Sequence, residues 1–114
     1  MHQKISELLA DLRGKNSYFS DVISFIDTYY IHTPTCFKNG EITNDPTENQ
    51  GSAKVFTFAS LNKLSKEDTL LLFAEHYQSV LEKPAGNDHQ NIRQFSLHGW
   101  NGIQFTGLAL EKRK

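Results

Sequence analysis

Near its C-terminal end the chain reads NDHQNIRQFSLHGWNG, residues 87–102. Histidines, an arginine, a tryptophan and several amide side chains share this stretch. No other part of the chain concentrates so many groups able to bind a ligand or move a proton. Asn87 or Asp88 can cap a helix that starts at His89, and Gln90 lies three positions after Asn87, near enough to reach back. At about 100° per residue, Ile92, Phe95 and Gly99 form the inner face of that helix. His89, Arg93, Ser96 and Trp100 form the neighbouring stripe. Polar groups beside a buried face ordinarily hold specific partners. Three roles are open to this stripe. It can bond loop carbonyls and carboxylates as part of the fold. It can join the Asn and Ser side chains of a loop around a small polar or anionic ligand. His89 alone can serve as a general acid/base or a metal ligand. Asp88 and His89 are adjacent and diverge on a helix, so sequence proximity does not make them a dyad.

The remaining chemistry-bearing residues are scattered. His2, His32, His76 and His98 show no tight ligand spacing with one another or with Cys36. The acidic run from Asp45 to Glu48 lacks the alternating oxygen ligands of a calcium loop. Neither Gly99 to Gly102 nor Gly51-Ser52 makes a phosphate loop, and no serine nucleophile elbow is present. Cys36, the one cysteine, sits beside Phe37 and reads as a small core residue. No catalytic residue, metal or cofactor is assigned.

The elements that must position these residues follow from apolar spacing. Ile5, Leu8, Leu9 and Leu12 make one helical face stopped at Gly14. Val22, Ile23, Phe25, Ile26, Tyr29 and Tyr30 make a second, and the two helices read as a hairpin joined around residues 15–18. From His32 to Ser52 the chain turns polar. Asn39-Gly40 is a tight-turn signal, so CFKNGEIT reads as a small hairpin or strand edge. Residues 43–52 form a long polar loop, a kind that often carries function. AKVFTFASLNKL carries both strand and helix signals and is read as a helix with Ser52 as its cap. Residues 65–83 read as one helix, opened by Ser65 and Asp68 as a capping box and striped by Leu70, Phe73, Tyr77, Val80 and Leu81. Ile103, Phe105 and Leu108 or Leu110 suggest a short terminal strand.

With 114 residues, 38% hydrophobic and 22% charged, the chain suits one domain with one modest core. Eight Phe and four Tyr give that core large rings. A net charge of -1 argues against nucleic acid or an anionic membrane as partner. A single cysteine allows no internal disulfide. No stretch reads as a membrane span or a signal peptide. The ends, residues 1–4 and 111–114, read as flexible.

TPTCFKNGEITN, NQGSAKVFTFASLNKLS, TLLLFAEHY and GNDHQNIRQFSLHGWNGIQFTG together resemble the HopJ type III effector family, from about residue 3 to residue 110. Matching positions include Thr33 to Thr35, Phe37, Asn39-Gly40, Asn44, Asn49, Gly51-Ser52, Lys54, Asp88 to Arg93 and Gly99-Trp100. The resemblance assigns none of them a role. It implies a bacterial protein made in the cytoplasm, with export through a type III apparatus into a host cell as a further implied fate.

The reading is therefore an α+β single domain spanning 1–114, mainly helical. About five helices are expected, with a two-stranded element from the Phe37–Thr43 and Ile103–Leu110 segments. The polar loop is expected to fold against the helix beginning at Asp88. The binding surface expected from this is Asn39, Asn44, Asn49, Ser52, Asp88, His89, Arg93 and Trp100. Function is read as binding a partner protein or a small polar or anionic ligand, by a monomer or weak dimer, rather than as catalysis. The alternatives are a bacterial cytoplasmic ligand-binding protein that is never exported, and a small hydrolase-like enzyme using His89.

Overall fold

The computed structural model describes residues 2–113. Its centre is helix α3, Gln50–Leu61. Ala53, Val55, Phe56, Thr57, Phe58 and Ala59 are all buried, so this helix has almost no solvent face. That resolves the mixed signal of AKVFTFASLNKL. The β-branched and aromatic residues that favour a strand locally instead fill the space on every side of a central helix. The helix begins at Gln50 after Asn49, so Ser52 lies within its first turn and is not the cap.

The other elements wrap around it. Helix α1 (His2–Arg13) buries Ile5, Leu8, Leu9 and Leu12, the four residues its spacing marked. Its left-handed terminal residue is Lys15 rather than Gly14. Helix α2 (Phe19–Tyr29) lies alongside, with Lys4 Nζ donating to the Tyr29 hydroxyl at 2.9 Å. Phe25 and Tyr30 meet Phe58 edge to face at 5.9 and 5.7 Å. Strand β1 (Tyr30–His32) pairs antiparallel with strand β5 (Leu110–Lys112), Tyr30 opposite Lys112. Residues 2–4, 111 and 112, expected to be loose, thus lie in regular elements; Met1 and Lys114 fall outside the described residues.

The Asn39-Gly40 signal marks a real hairpin. Strands β2 (Phe37–Asn39) and β3 (Ile42–Asn44) pair with Asn39 opposite Ile42. Gly40 carries φ 59, and a Cβ there would collide with Gln94 and His98. Strand β4 (Ile103–Phe105) adds to the other side of β2. The β structure is therefore a three-stranded sheet, β3-β2-β4, plus the β1–β5 ribbon, rather than one two-stranded element. Phe37 and Phe105 stack on this sheet at 4.9 Å, and Phe37 meets Phe56 of α3.

Six α-helices are present among the described residues, one more than expected. Residues 65–83 supply two, α4 (Lys66–Leu71) and α5 (Glu75–Glu82). Ser65 caps α4, accepting from Asp68 N at 3.1 Å. The break has a packing cause. On one continuous helix Leu72 would face roughly 200° away from Leu70, yet Leu70, Leu72 and Phe73 are all buried. Breaking the helix turns Leu72 inward and sets Phe73 between Phe19 and Phe56, at 5.9 and 5.4 Å. Ala74 absorbs the turn with φ 52 and ψ -123, a conformation that suits glycine. Helix α6 (Gln90–His98) follows, then a single 3₁₀ turn, Gly99–Gly102, that leads into β4.

Ala74→Gly removes the side chain from a left-handed backbone. It is expected to stabilise the protein by about 1 kcal/mol, seen as a higher urea midpoint at unchanged slope. A lower midpoint would show that the Ala74 methyl gains more in packing than it costs in strain.

Candidate functional site

The polar loop folds against the start of α6, held there by asparagines. Asn39 sits on β2, Asn44 ends β3 and Asn91 lies in the first turn of α6. They are 0%, 2% and 6% exposed, so water cannot satisfy their amides. They satisfy one another instead. Asn91 Nδ2 donates to Asn44 Oδ1 at 3.0 Å, and Asn44 Nδ2 donates back to Asn91 Oδ1 at 3.2 Å. Asn39 Nδ2 donates to Asn91 O at 2.8 Å and to Asn91 Oδ1 at 3.0 Å. Asn49 Nδ2 closes the group on Asn44 Oδ1 at 2.7 Å. Among the buried side-chain atoms of this group, Asn39 Oδ1 is without a partner among the described residues.

Gln50, at the start of α3, pins the rest of the loop. Its Oε1 accepts from Thr35 N at 3.0 Å, and its Nε2 donates to Glu48 O at 2.8 Å and Thr35 O at 3.2 Å. His32 Nε2 lies 3.2 Å from the same Oε1. Burial holds the His32 pKa below the ordinary histidine value, against the opposing effect of the Gln50 bond.

These contacts bring the N-terminal ends of α3 and α6 to one cleft of about 330 Å³. Each end is entered by a residue in left-handed conformation: Asn49 at φ 51, ψ 37 and His89 at φ 51, ψ 47. Neither residue caps its helix with a side-chain hydrogen bond. A left-handed residue followed by right-handed helical backbone gathers successive N–H groups into a concavity that suits an anion, and a helix N-terminus adds partial positive charge. Ser52, Gln90 and Asn91 also line the cleft. Its other wall is a row of rings. Phe73 stacks on Phe19, Phe19 meets His76 at 5.0 Å, and His76 meets His89 at 5.0 Å.

The chain matches the model of the family described as HopJ type III effector protein over residues 4–110. It belongs to that family. A solved crystal structure described as unknown function protein VPA0580 is 42% identical, with a TM-score of 0.87 over 95% of this chain and 92% of the other. Among curated proteins no relative matches.

The NDHQNIR block splits across two sides of the fold. His89 faces the cleft, but Arg93 does not. The Arg93 side chain is 11% exposed and closes on the turn at residues 83–88. It donates to Asp88 O at 2.6 Å, Asp88 Oδ1 at 2.8 Å, Lys83 O at 2.9 Å and Pro84 O at 3.2 Å. The hydrogen bond from Arg93 holds the Asp88 carboxyl below its usual range. Asp88 is thereby engaged by the arginine and does not cap the helix, which starts at Gln90 with His89 as the flanking residue. Trp100 is also elsewhere, edge to face with Phe95 at 5.0 Å and with Phe56 at 6.5 Å. Of the expected residues, Asn49, Ser52 and His89 line the cleft, while Asn39 and Asn44 lie buried behind it. Asp88, Arg93 and Trp100 hold structure nearby.

Sequence reasoning passed over Phe19, His76 and Asn91. Asn91 lies among the positions that carry the resemblance, and its burial follows from lying four residues before Phe95, on the same face of the helix. Phe19 and His76 carry no local signal, because they reach the cleft from α2 and α5. The Asp88 carboxylate stays 3.9 Å from His89 Nε2, beyond hydrogen-bond distance. Among the described residues no group of three or more His, Cys, Asp or Glu could hold a metal, and no helix is long and apolar enough to cross a membrane.

Arg93→Ala is expected to lower the melting temperature by several degrees, and Arg93→Lys to recover little, because an ammonium cannot reproduce the guanidinium fork. Thermal denaturation followed by circular dichroism reads this. Full recovery by lysine would mean that charge alone holds the turn.

Proposed function

We propose that this HopJ-family chain acts by binding, and that its ligand is a small anion-bearing molecule held in the cleft between α3 and α6. The observation that carries the reading is the convergence of His89, His76, Ser52 and two uncapped helix starts on one cavity. A non-glycine residue in left-handed backbone costs of order 1 kcal/mol or more and persists where its surroundings enforce it. Asn tolerates that conformation well. His89 adopts the same conformation, which histidine also visits more readily than most residues, and it delivers the imidazole to the cleft.

His89→Gly separates a binding residue from a structural one. Glycine accepts the left-handed backbone and is tolerated beside a helix start. The variant is expected to melt no lower than the parent while binding inorganic phosphate more weakly. Binding is read by ¹⁵N–¹H NMR titration, with saturable shifts at Gly51, Ser52, Gln90 and Asn91. Shifts that are diffuse and do not saturate in the parent would sink the reading, as would unchanged phosphate binding in the variant.

The family's description extends the proposal to delivery into a host cell. A reporter enzyme fused to the C-terminus is expected to gain activity inside host cells only when a functional type III apparatus is present. Equal signal without the apparatus, or none with it, would return the protein to the bacterial cytoplasm and leave the binding reading untouched.

A further inference from the structure

The cleft is larger than its polar end requires. At about 330 Å³ it has room for more than a bare inorganic anion and falls within the range of small-molecule pockets. Its two walls also differ in chemistry. One is polar, made by the starts of α3 and α6 with Ser52. The other is the ring row of Phe19, His76 and His89. This row is anchored in the core, since Phe19 stacks on the buried Phe73 at 5.9 Å with planes 8° apart. Gly51 stands where the walls meet. A Cβ there would lie 3.4 Å from the edge of the Phe19 ring, so the absent side chain leaves open the space beside that ring.

From these observations we infer that the ligand is a planar aromatic molecule with one anionic group, a phosphate or carboxylate. Its ring lies along the Phe19–His76–His89 wall and its anionic group meets Ser52 and the two helix starts. The inference rests on the reading that the cleft binds an anion. It adds that the ligand's body is a flat π system, which offset-stacked and edge-to-face contacts with rings favour. A ligand of this shape would use both walls at once.

Four probes test it by NMR titration: inorganic phosphate, phenyl phosphate, acetate and benzoate. Phenyl phosphate is expected to bind about ten-fold more tightly than inorganic phosphate, or benzoate than acetate, which is the scale of one stacked ring. The pair with the larger gain identifies the anionic group. Gly51→Ala, a change that helix propensity favours, is expected to remove most of the ring's advantage, bringing the affinity of each aromatic probe close to that of its small counterpart. Phe19→Leu keeps apolar bulk but loses the ring face, and should do the same. Equal binding of each aromatic probe and its small counterpart overturns the aromatic inference but leaves anion binding standing. An aromatic advantage that survives both substitutions also overturns it, because the ring then lies elsewhere. If none of the four probes shifts the cleft amides, both the inference and the function it rests on fall.

Discussion

Burial of the Asn91 amide constrains this structure more than any other polar contact. An amide held away from water without partners costs about 1–3 kcal/mol per unmet group. Three nearly inaccessible asparagines must therefore meet one another in good geometry. The reciprocal Asn44–Asn91 pair does this only with β2 and β3 in their observed register and α6 beginning beside them. A shift of one residue in the hairpin would turn Asn44 to the opposite face of its strand and leave Asn91 unpaired. One side-chain pair thus fixes the hairpin, the loop that leaves it and the first turn of α6. The position of Asn49, bonded to the same Asn44 oxygen, follows from that.

The aromatic core supplies a second constraint. Phe56 lies at its centre, with the rings of Phe37, Phe73, Phe95 and Trp100 around it. The sheet, the α4–α5 break and α6 all meet there. Phe73 links this core to the cleft, since its other face stacks on Phe19. The cleft wall is therefore an extension of the core rather than a loop surface. That gives it the rigidity a binding site needs if it is to hold its shape before the ligand arrives.

Much of this was legible in the residues. The spacing of Ile5, Leu8, Leu9 and Leu12 marked α1, and Asn39-Gly40 marked the hairpin. Crowding of polar residues in two separated segments pointed to a loop docked on α6. The failures have identifiable causes. A helical period across residues 65–83 does not report that Leu72 and Phe73 must both turn inward. Helical projection grouped His89 with Arg93, but His89 lies just outside the helix in left-handed backbone, so the projection does not apply to it. Trp100 was placed on the same stripe although the helix ends at His98.

The sequence by itself determined the materials: an amphipathic first helix, a tight hairpin, a helix opened by NDHQ and enough Phe to build a ring-rich core. These depend on local backbone preference and on periodicity, which neighbouring residues settle among themselves. Only the tertiary structure decided which polar groups of residues 87–102 face a cavity. Asn91 is drawn inward by asparagines roughly fifty positions away, Arg93 is taken by the carbonyls of the preceding turn, and His89 is left facing His76 and Phe19 from other helices. Those outcomes turn on long-range satisfaction of buried hydrogen bonds and on the packing of distant rings, neither of which local spacing encodes.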